Sequence, residues 1–253
     1  MAIKIKCPDG EIRTPEECLE TEKSIPYPLL KKILEGSLRK RKKKDRIRFG
    51  VTKIATKCLR QSFYQMTEDQ VLELEKLWIL SRGHAFHNHF KFEKDEFFIE
   101  RKFKDFDILG FIDGIEGDVM YELKTTNTIP SQPQDHHTLQ LQAYYSMYPD
   151  KDQINKLKIV YLNLSTIKTF EIPKRDISPW IESRSHQLVT ALQTKIPPPK
   201  EKSWLCSYCP FENICENHTV EKKETVKKAV DKIVKNRKEL KKMESWQELF
   251  NNS

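Results

Sequence analysis

The chain has 253 residues, 45 Lys and Arg against 37 Asp and Glu, a formal charge of +8 and a pI near 9.0. With 38% hydrophobic residues and a mean hydropathy of −0.68, it holds no apolar run near the roughly 20 residues that span a bilayer, and its opening residues MAIKIKCPDGEIR lack the roughly 7–15-residue apolar stretch of a secretory signal. These features set aside a membrane or secreted protein in favour of a cytoplasmic globular one, and the basic balance makes a polyanion a plausible partner.

Taken in chain order, residues 1–30 look irregular, with Pro8, Pro15, Pro26 and Pro28 set to break any helix. A basic run follows, Arg39, Lys40, Arg41, Lys42, Lys43 and Lys44. Its plainer reading is a solvated face, its sharper one a contact with backbone phosphates. A helix is expected over 51–65, carrying Cys58. Thr67 and Gln70 have the spacing of a capping box, and apolar residues at Val71, Leu74, Leu77, Trp78 and Ala85 predict a helix over 68–90. Three strand-like runs come next, at 95–103, 106–115 and 118–126, with gaps short enough for an antiparallel meander. A helix over 135–148, strands at 156–164 and 167–172 and a helix over 176–194 complete an α/β core. Pro197, Pro198 and Pro199 then start a stiff connector, and a lysine-rich tail carries an apolar stripe at Val226, Val230, Ile233, Val234 and Leu240. Three segments result: a 1–48 extension, a 49–216 core and a 217–253 helical tail.

The chemistry concentrates on the middle strands. Asp113 ends the apolar run GFID, and Glu122 and Lys124, two apart on the next strand, share one face. Charges on a hydrophobic strand are costly unless they are paired or bind a metal. Phosphodiester hydrolysis needs a hard cation, and Mg²⁺ and Mn²⁺ prefer oxygen ligands. Asp113, Glu122 and the carbonyl of Leu123 supply such oxygens, and Lys124 suits holding or deprotonating a water. The alternative is a surface Asp beside an ordinary Glu–Lys pair. His87 stands where an imidazole could join the metal ligands, and Gln140 and Tyr144 lie one turn apart on the following helix. Six cysteines are present, Cys7, Cys18, Cys58, Cys206, Cys209 and Cys215, three of them within CSYCPFENIC. In a reducing compartment such clustering points to metal more than to disulfides, and thiolates suit both a 4Fe–4S cluster and zinc. Cys7 and Cys18 stand apart: they could pair as a disulfide, lend two ligands to another metal, or be inert thiols, and the last is the preferred reading.

These residues resemble the motifs of RecB-type nucleases in the PD-(D/E)XK superfamily. GHAFH, GFID, ELK and QLQAY match that family's successive elements through His87, Asp113, Glu122 with Lys124, and Gln140 with Tyr144. The split cysteine set, Cys58 followed far downstream by Cys206, Cys209 and Cys215, is similar to the iron–sulfur clasp of the CRISPR-associated RecB-like exonuclease, the fourth of the numbered Cas families. Related clasps occur in helicase-linked nucleases. Where the family has Pro-Arg after the first cysteine, Leu59 and Arg60 stand here. The resemblance implies a restriction-endonuclease-like fold, a mixed sheet flanked by helices, with the four cysteines joining helical parts at the two ends. It further implies a metal-dependent exonuclease on single-stranded DNA ends, with His87, Asp113, Glu122 and Leu123 holding Mg²⁺ or Mn²⁺, Lys124 placing the water, and Gln140 and Tyr144 supporting the lysine or the DNA. Its biological setting would be spacer-precursor trimming beside the CRISPR integrase. The other readings are a helicase-linked or viral recombination nuclease, and a DNA-binding adaptor whose nuclease site is inactive.

Overall fold

The computed structural model of the chain describes residues 3–38, 46–203, 206–207 and 209–215. They belong to two compact units, Met1–Glu201 and Lys202–Ser253. The basic run Arg39–Lys44 and the helical tail expected over 217–253 lie outside the described residues.

The first thirty residues are more regular than their prolines suggest. Strands β1 (Ile3–Lys6) and β2 (Ile12–Arg13) pair, and helix α1 (Pro15–Thr21) follows. Thr14 caps α1: its hydroxyl accepts from the Glu17 N–H while the Glu17 carboxylate accepts from the Thr14 N–H. Pro15 at the first helical position and Pro28 in the first turn of α2 (Tyr27–Leu38) start helices, since their missing N–H groups would be unsatisfied there in any case. Ile5, Cys7, Cys18, Leu30, Ile33 and Leu34 bury one another. Both thiols are free, and burial together with the neighbouring Cys7 pushes the Cys18 thiol up to about 12.

Two predicted helices are corrected. The 51–65 helix is two pieces, α3 (Val51–Ile54) and α4 (Leu59–Thr67), and Cys58 precedes α4 in extended conformation with φ −134° and ψ 110°. The helix expected from 68 begins only at Leu74 as α5 (Leu74–His89), because β4 (Gln70–Glu73) pairs in parallel with β1. Thr67 and Gln70 form no capping box: Thr67 ends α4, and the Gln70 amide donates to the Gln65 carbonyl at 2.7 Å.

The central sheet contains β3 (Ile47–Gly50), β5 (Lys94–Lys102), β6 (Phe106–Glu116), β7 (Val119–Thr125), β8 (Lys156–Leu162) and β9 (Ile167–Ile172). Its order is β3-β6-β7-β8-β9, with β5 also on β6. The expected meander forms, since β5–β6 and β6–β7 are antiparallel, but β3–β6 and β7–β8 are parallel and the sheet is mixed. Helix α6 (Asp135–Met147), buried from Gln140 onward, packs on β6, β7 and β8, and α7 (Ser178–Thr194) packs on α3, α4 and α6. Asp107 on β6 is buried and holds Arg46 Nε at 2.7 Å and Arg48 Nε at 3.1 Å, fastening β3 to the sheet. Among the described residues no helix is long and apolar enough to cross a membrane.

A second polar tie closes the first unit. Arg184 on α7 donates to the carbonyls of Ile54 (2.7 Å) and Thr56 (2.9 Å) and forks onto both oxygens of Glu201 (2.9 and 3.0 Å). Glu201 also accepts the Leu59 N–H at 2.7 Å, and Arg60 Nε donates to the Pro198 carbonyl at 2.6 Å. Partial burial alone would raise the Glu201 carboxyl, but Arg184 and the Leu59 N–H outweigh it and hold the group below its usual range. A depressed carboxyl stabilises the fold above its unfolded value, roughly pH 4.3, and that contribution is lost as pH falls through the folded value. Glu201→Gln should therefore lower the melting temperature near pH 7 by about 2–4 °C, for a half-exposed pair worth about 1 kcal/mol. Thermal melts from pH 7 down to pH 3 should show the gap between wild type and variant closing as the acid range is entered.

Candidate active site

The site grows from a fork in the sheet. Strand β6 has β5 along one edge from Asp107 to Ile115; on the other edge β3 takes Phe106–Leu109 and β7 takes only Gly114–Glu116. Past the last pair, Gly114 with Tyr121, β7 continues beside β8 alone. The next residues on the two arms are Asp113 and Glu122, which would oppose each other had pairing continued. Asp113 Oδ2 instead accepts the Leu123 N–H at 2.7 Å, a side chain standing in for a ladder bond.

Alternation along β7 sorts its side chains. Leu123 points to one face and is buried with Val160 and Leu162, against which Phe86 of α5 packs. Glu122 and Lys124 point to the other, where α6 covers them. Glu122 is only 2% exposed, and its Oε1 accepts from Lys124 Nζ at 2.5 Å and from Gln140 Nε2 at 2.7 Å. Lys124 also donates to Gln140 Oε1 at 3.2 Å, and Gln140 Nε2 donates to the Tyr144 hydroxyl at 3.0 Å. One amide thus ties acid, ammonium and phenol together.

Glu122 Oε2 is buried with no hydrogen-bond partner. Burial pushes the Glu122 carboxyl up to about 7, with Lys124 opposing and Asp113 adding to the rise. For Lys124 burial acts downward, but Glu122 outweighs it and the ammonium is held above its usual value. His87, in the last turn of α5, sets Nδ1 3.2 Å from Asp113 Oδ1, and this contact raises the imidazole against the opposing effect of burial. His87 with Asp113, and Glu122 with Lys124, Gln140 and Tyr144, thus gather about the fork. Among the described residues no three of His, Cys, Asp and Glu stand close enough as they lie to hold a metal ion. Asp113 is turned to His87 and Leu123, and Glu122 to Lys124 and Gln140. The orphaned Oε2 is the acceptor a hard cation would satisfy, and two carboxylates with an imidazole suit Mg²⁺ or Mn²⁺.

The cysteines are distributed differently. Cys58 lies in the first unit, directly before α4, while Cys206, Cys209 and Cys215 lie in the second on short turns, the Cys209 N–H donating to Cys206 O at 3.1 Å and the Cys215 N–H to Phe211 O at 2.8 Å. None of the four is in a disulfide among the described residues. The arrangement of the described residues gives no support to the four-thiolate cluster expected from sequence.

Gly110 in GFID has a steric reason. A Cβ there would meet Ile99 Cγ1 at 2.8 Å and Tyr144 Cδ1 at 3.0 Å, so its absence lets the Tyr144 ring lie on β6. Gly110→Ala should cost about 1–3 kcal/mol by overpacking, seen as a melting temperature roughly 3–10 °C lower for a domain of this size; a melt unchanged within 1 °C of wild type, taken as a rough limit on that scale, would remove this account.

Two histidines escaped the sequence reading. His136 and His137 open α6 with rings 4.1 Å apart. The Tyr161 hydroxyl accepts the Gln134 N–H at 3.0 Å and lies within hydrogen-bond distance of His137 Nδ1, at 2.8 Å. Burial and then Lys124 hold His137 neutral, down to about 3, while burial and then Lys57 lower His136. The doublet in DHHTLQ was the available signal, but nothing in its spacing tied it to Lys124.

A sequence profile of the PD-(D/E)XK nuclease superfamily matches residues 17–216. The chain belongs to this superfamily. PD-(D/E)XK nucleases are in general metal-dependent DNA hydrolases. Among solved structures, the crystal structure of SSO0001 is 23% identical with a TM-score of 0.56, covering 74% of this chain and 93% of that one, which shows a shared fold. A candidate exonuclease from Eubacterium rectale is 9% identical with a TM-score of 0.31, covering 71% of this chain and 78% of that one. No curated protein sequence matches. The mixed α/β sheet flanked by helices fits a PD-(D/E)XK nuclease.

Proposed function

We propose that the chain is a Mg²⁺- or Mn²⁺-dependent deoxyribonuclease that degrades single-stranded DNA from its ends. The observation that carries this reading is the buried Glu122, one oxygen shared by Lys124 and Gln140 and the other without a partner, beside Asp113 at the mouth of the fork. Asp113, Glu122, His87 and the Leu123 carbonyl would hold the cation. In a strand the N–H and C=O of one residue serve the same edge, so the Leu123 carbonyl faces the same side as the N–H that Asp113 takes. The bound cation would neutralise charge on the scissile phosphate and acidify a water.

The remaining work falls to the chain's own groups. Lys124, held against Glu122 and Gln140, positions the attacking water or helps to deprotonate it. Gln140 fixes the direction of that ammonium by accepting from it while donating to Glu122 and Tyr144. Tyr144, kept protonated by burial, closes the base of the network. The likeness of the motifs to those of the CRISPR-associated RecB-like exonuclease supports placing this end-trimming beside a CRISPR integrase.

End-labelled single strands with Mn²⁺ provide the test. Lys124→Ala and Glu122→Gln should each lower the rate at least about 100-fold, roughly 2.7 kcal/mol of transition-state stabilisation, and a chelator should abolish cleavage by wild type. Full activity in either variant removes these roles.

The same reading assigns a 4Fe–4S cluster, in preference to zinc, to Cys58, Cys206, Cys209 and Cys215. Its support is the donor set, four cysteines in the split order of the iron–sulfur clasp that the motifs resemble. Anaerobically purified protein should be brown with about four irons per chain; a colourless protein with zinc, or with no metal, rejects the cluster.

A further inference from the structure

The β6 edge is unpaired between Leu109, the last residue on β3, and Gly114, the first on β7, and Phe111 lies in this gap. Phe111 is two residues along the strand from Asp113, so its side chain leaves on the side of Asp113 while Gly110 and Ile112 turn the other way. Its backbone hydrogen-bonds the Tyr144 hydroxyl. That hydroxyl accepts from Gln140 Nε2, which also donates to Glu122. Phe111 therefore adjoins the acid that turns to His87, and two hydrogen-bonded steps tie it to the acid shared with Lys124.

Directly across, Phe98 of β5 is the register partner of Phe111, and the two rings stand 5.4 Å apart at 56°. The pair is left open. Phe98 is 48% exposed and Phe111 52%, whereas the alternating neighbours Ile99 and Ile112 are 6% and 0%. Cross-strand packing accounts for the rings meeting, but not for half of each facing water beside the site. Farther along this face the acids are already matched. Glu100 is held by Arg48 and Lys102, and Asp107 by Arg46 and Arg48. Three cations thus surround two acids, and the Lys102 side chain remains 74% exposed, so a polyanion can follow the face away from Asp113.

We propose that Phe98 and Phe111 form a base-stacking platform for an unpaired nucleotide of the substrate strand, and that this platform makes the site prefer single strands; the inference rests on the nuclease reading above. Exposed rings hold single strands of any sequence, because every base has a π face. Two strand residues span about 7 Å, roughly two stacked bases at about 3.4 Å each. The base on Phe111 therefore lies one or two nucleotides from the phosphodiester at Asp113. A base inside a duplex is covered by its neighbours on both faces and reaches the rings only after leaving the stack. The platform thus seats the strand and disfavours its paired form.

The test is fluorescence anisotropy of labelled single-stranded oligonucleotides with the full chain in chelator, followed by Mn²⁺-dependent cleavage of single-stranded and duplex forms of one sequence. With wild type, oligonucleotides carrying one abasic site stepped from the end should show a position at which Kd rises about fivefold or more, the scale of one lost stacking contact. Phe111→Leu, which keeps an apolar side chain on the strand, should raise Kd for the intact strand by a similar factor and abolish the response to the abasic position. Its salt slope should match wild type, because no phosphate contact is lost, and Phe111→Trp should restore binding. The ratio of single-strand to duplex cleavage should fall at least about threefold in Phe111→Leu, on the order of part of one stacking contact. The abasic scan uses the unaltered protein and decides the matter should Phe111→Leu fail to fold. A flat scan with wild type that cleaves single strands, or an equal loss on both forms in Phe111→Leu, overturns the platform alone. Wild type that neither binds nor cleaves DNA overturns the platform and the nuclease reading together.

Discussion

Burying the Glu122–Lys124 pair is the constraint that the rest of this fold serves. Two charges taken from water cost several kcal/mol each unless geometry and further hydrogen bonds repay it. Here the repayment comes from one amide, since Gln140 accepts from the ammonium and donates to the carboxylate. That leaves one carboxylate oxygen unmatched and the acid hard to ionise. A site in this condition offers an acceptor that a hard cation would satisfy.

The fork creates the space in which this incompleteness persists. Full pairing of β6 with β7 would have set backbone against backbone at Asp113 and Glu122. Instead β3 occupies the far half of the same β6 edge, held by Arg46 and Arg48 on the buried Asp107. The two partners of that edge keep the gap between them. Gly110, lying in the gap, admits the Tyr144 ring from α6 and so sets how close the helix carrying Gln140 comes to the strands.

Much of this was legible beforehand because it depends on short-range pattern. The alternation of Glu122, Leu123 and Lys124 and the one-turn spacing of Gln140 and Tyr144 are properties of a strand and a helix, and tertiary packing had only to bring them face to face. The misreadings have a common cause. Gln70–Glu73 carries a helical start signal, yet its backbone is claimed by β1, more than sixty residues earlier. The break at Ala55–Cys58 likewise reflects Arg184, 128 residues away from Thr56, taking carbonyls that a continuous helix would have used. The histidine doublet was passed over because its neighbours come from β7, β8 and the loop before α6, which no local spacing reveals.

The Arg184–Glu201 tie also bears on how the chain is made. The first N–H of α4 finds its acceptor 142 residues downstream, and Arg184 reaches back 130 residues to Ile54. At about 5–20 residues per second, α4 waits roughly 7–30 s during synthesis before its leading end is satisfied. Until α7 has been made, the side of α4 that packs on it lacks that partner.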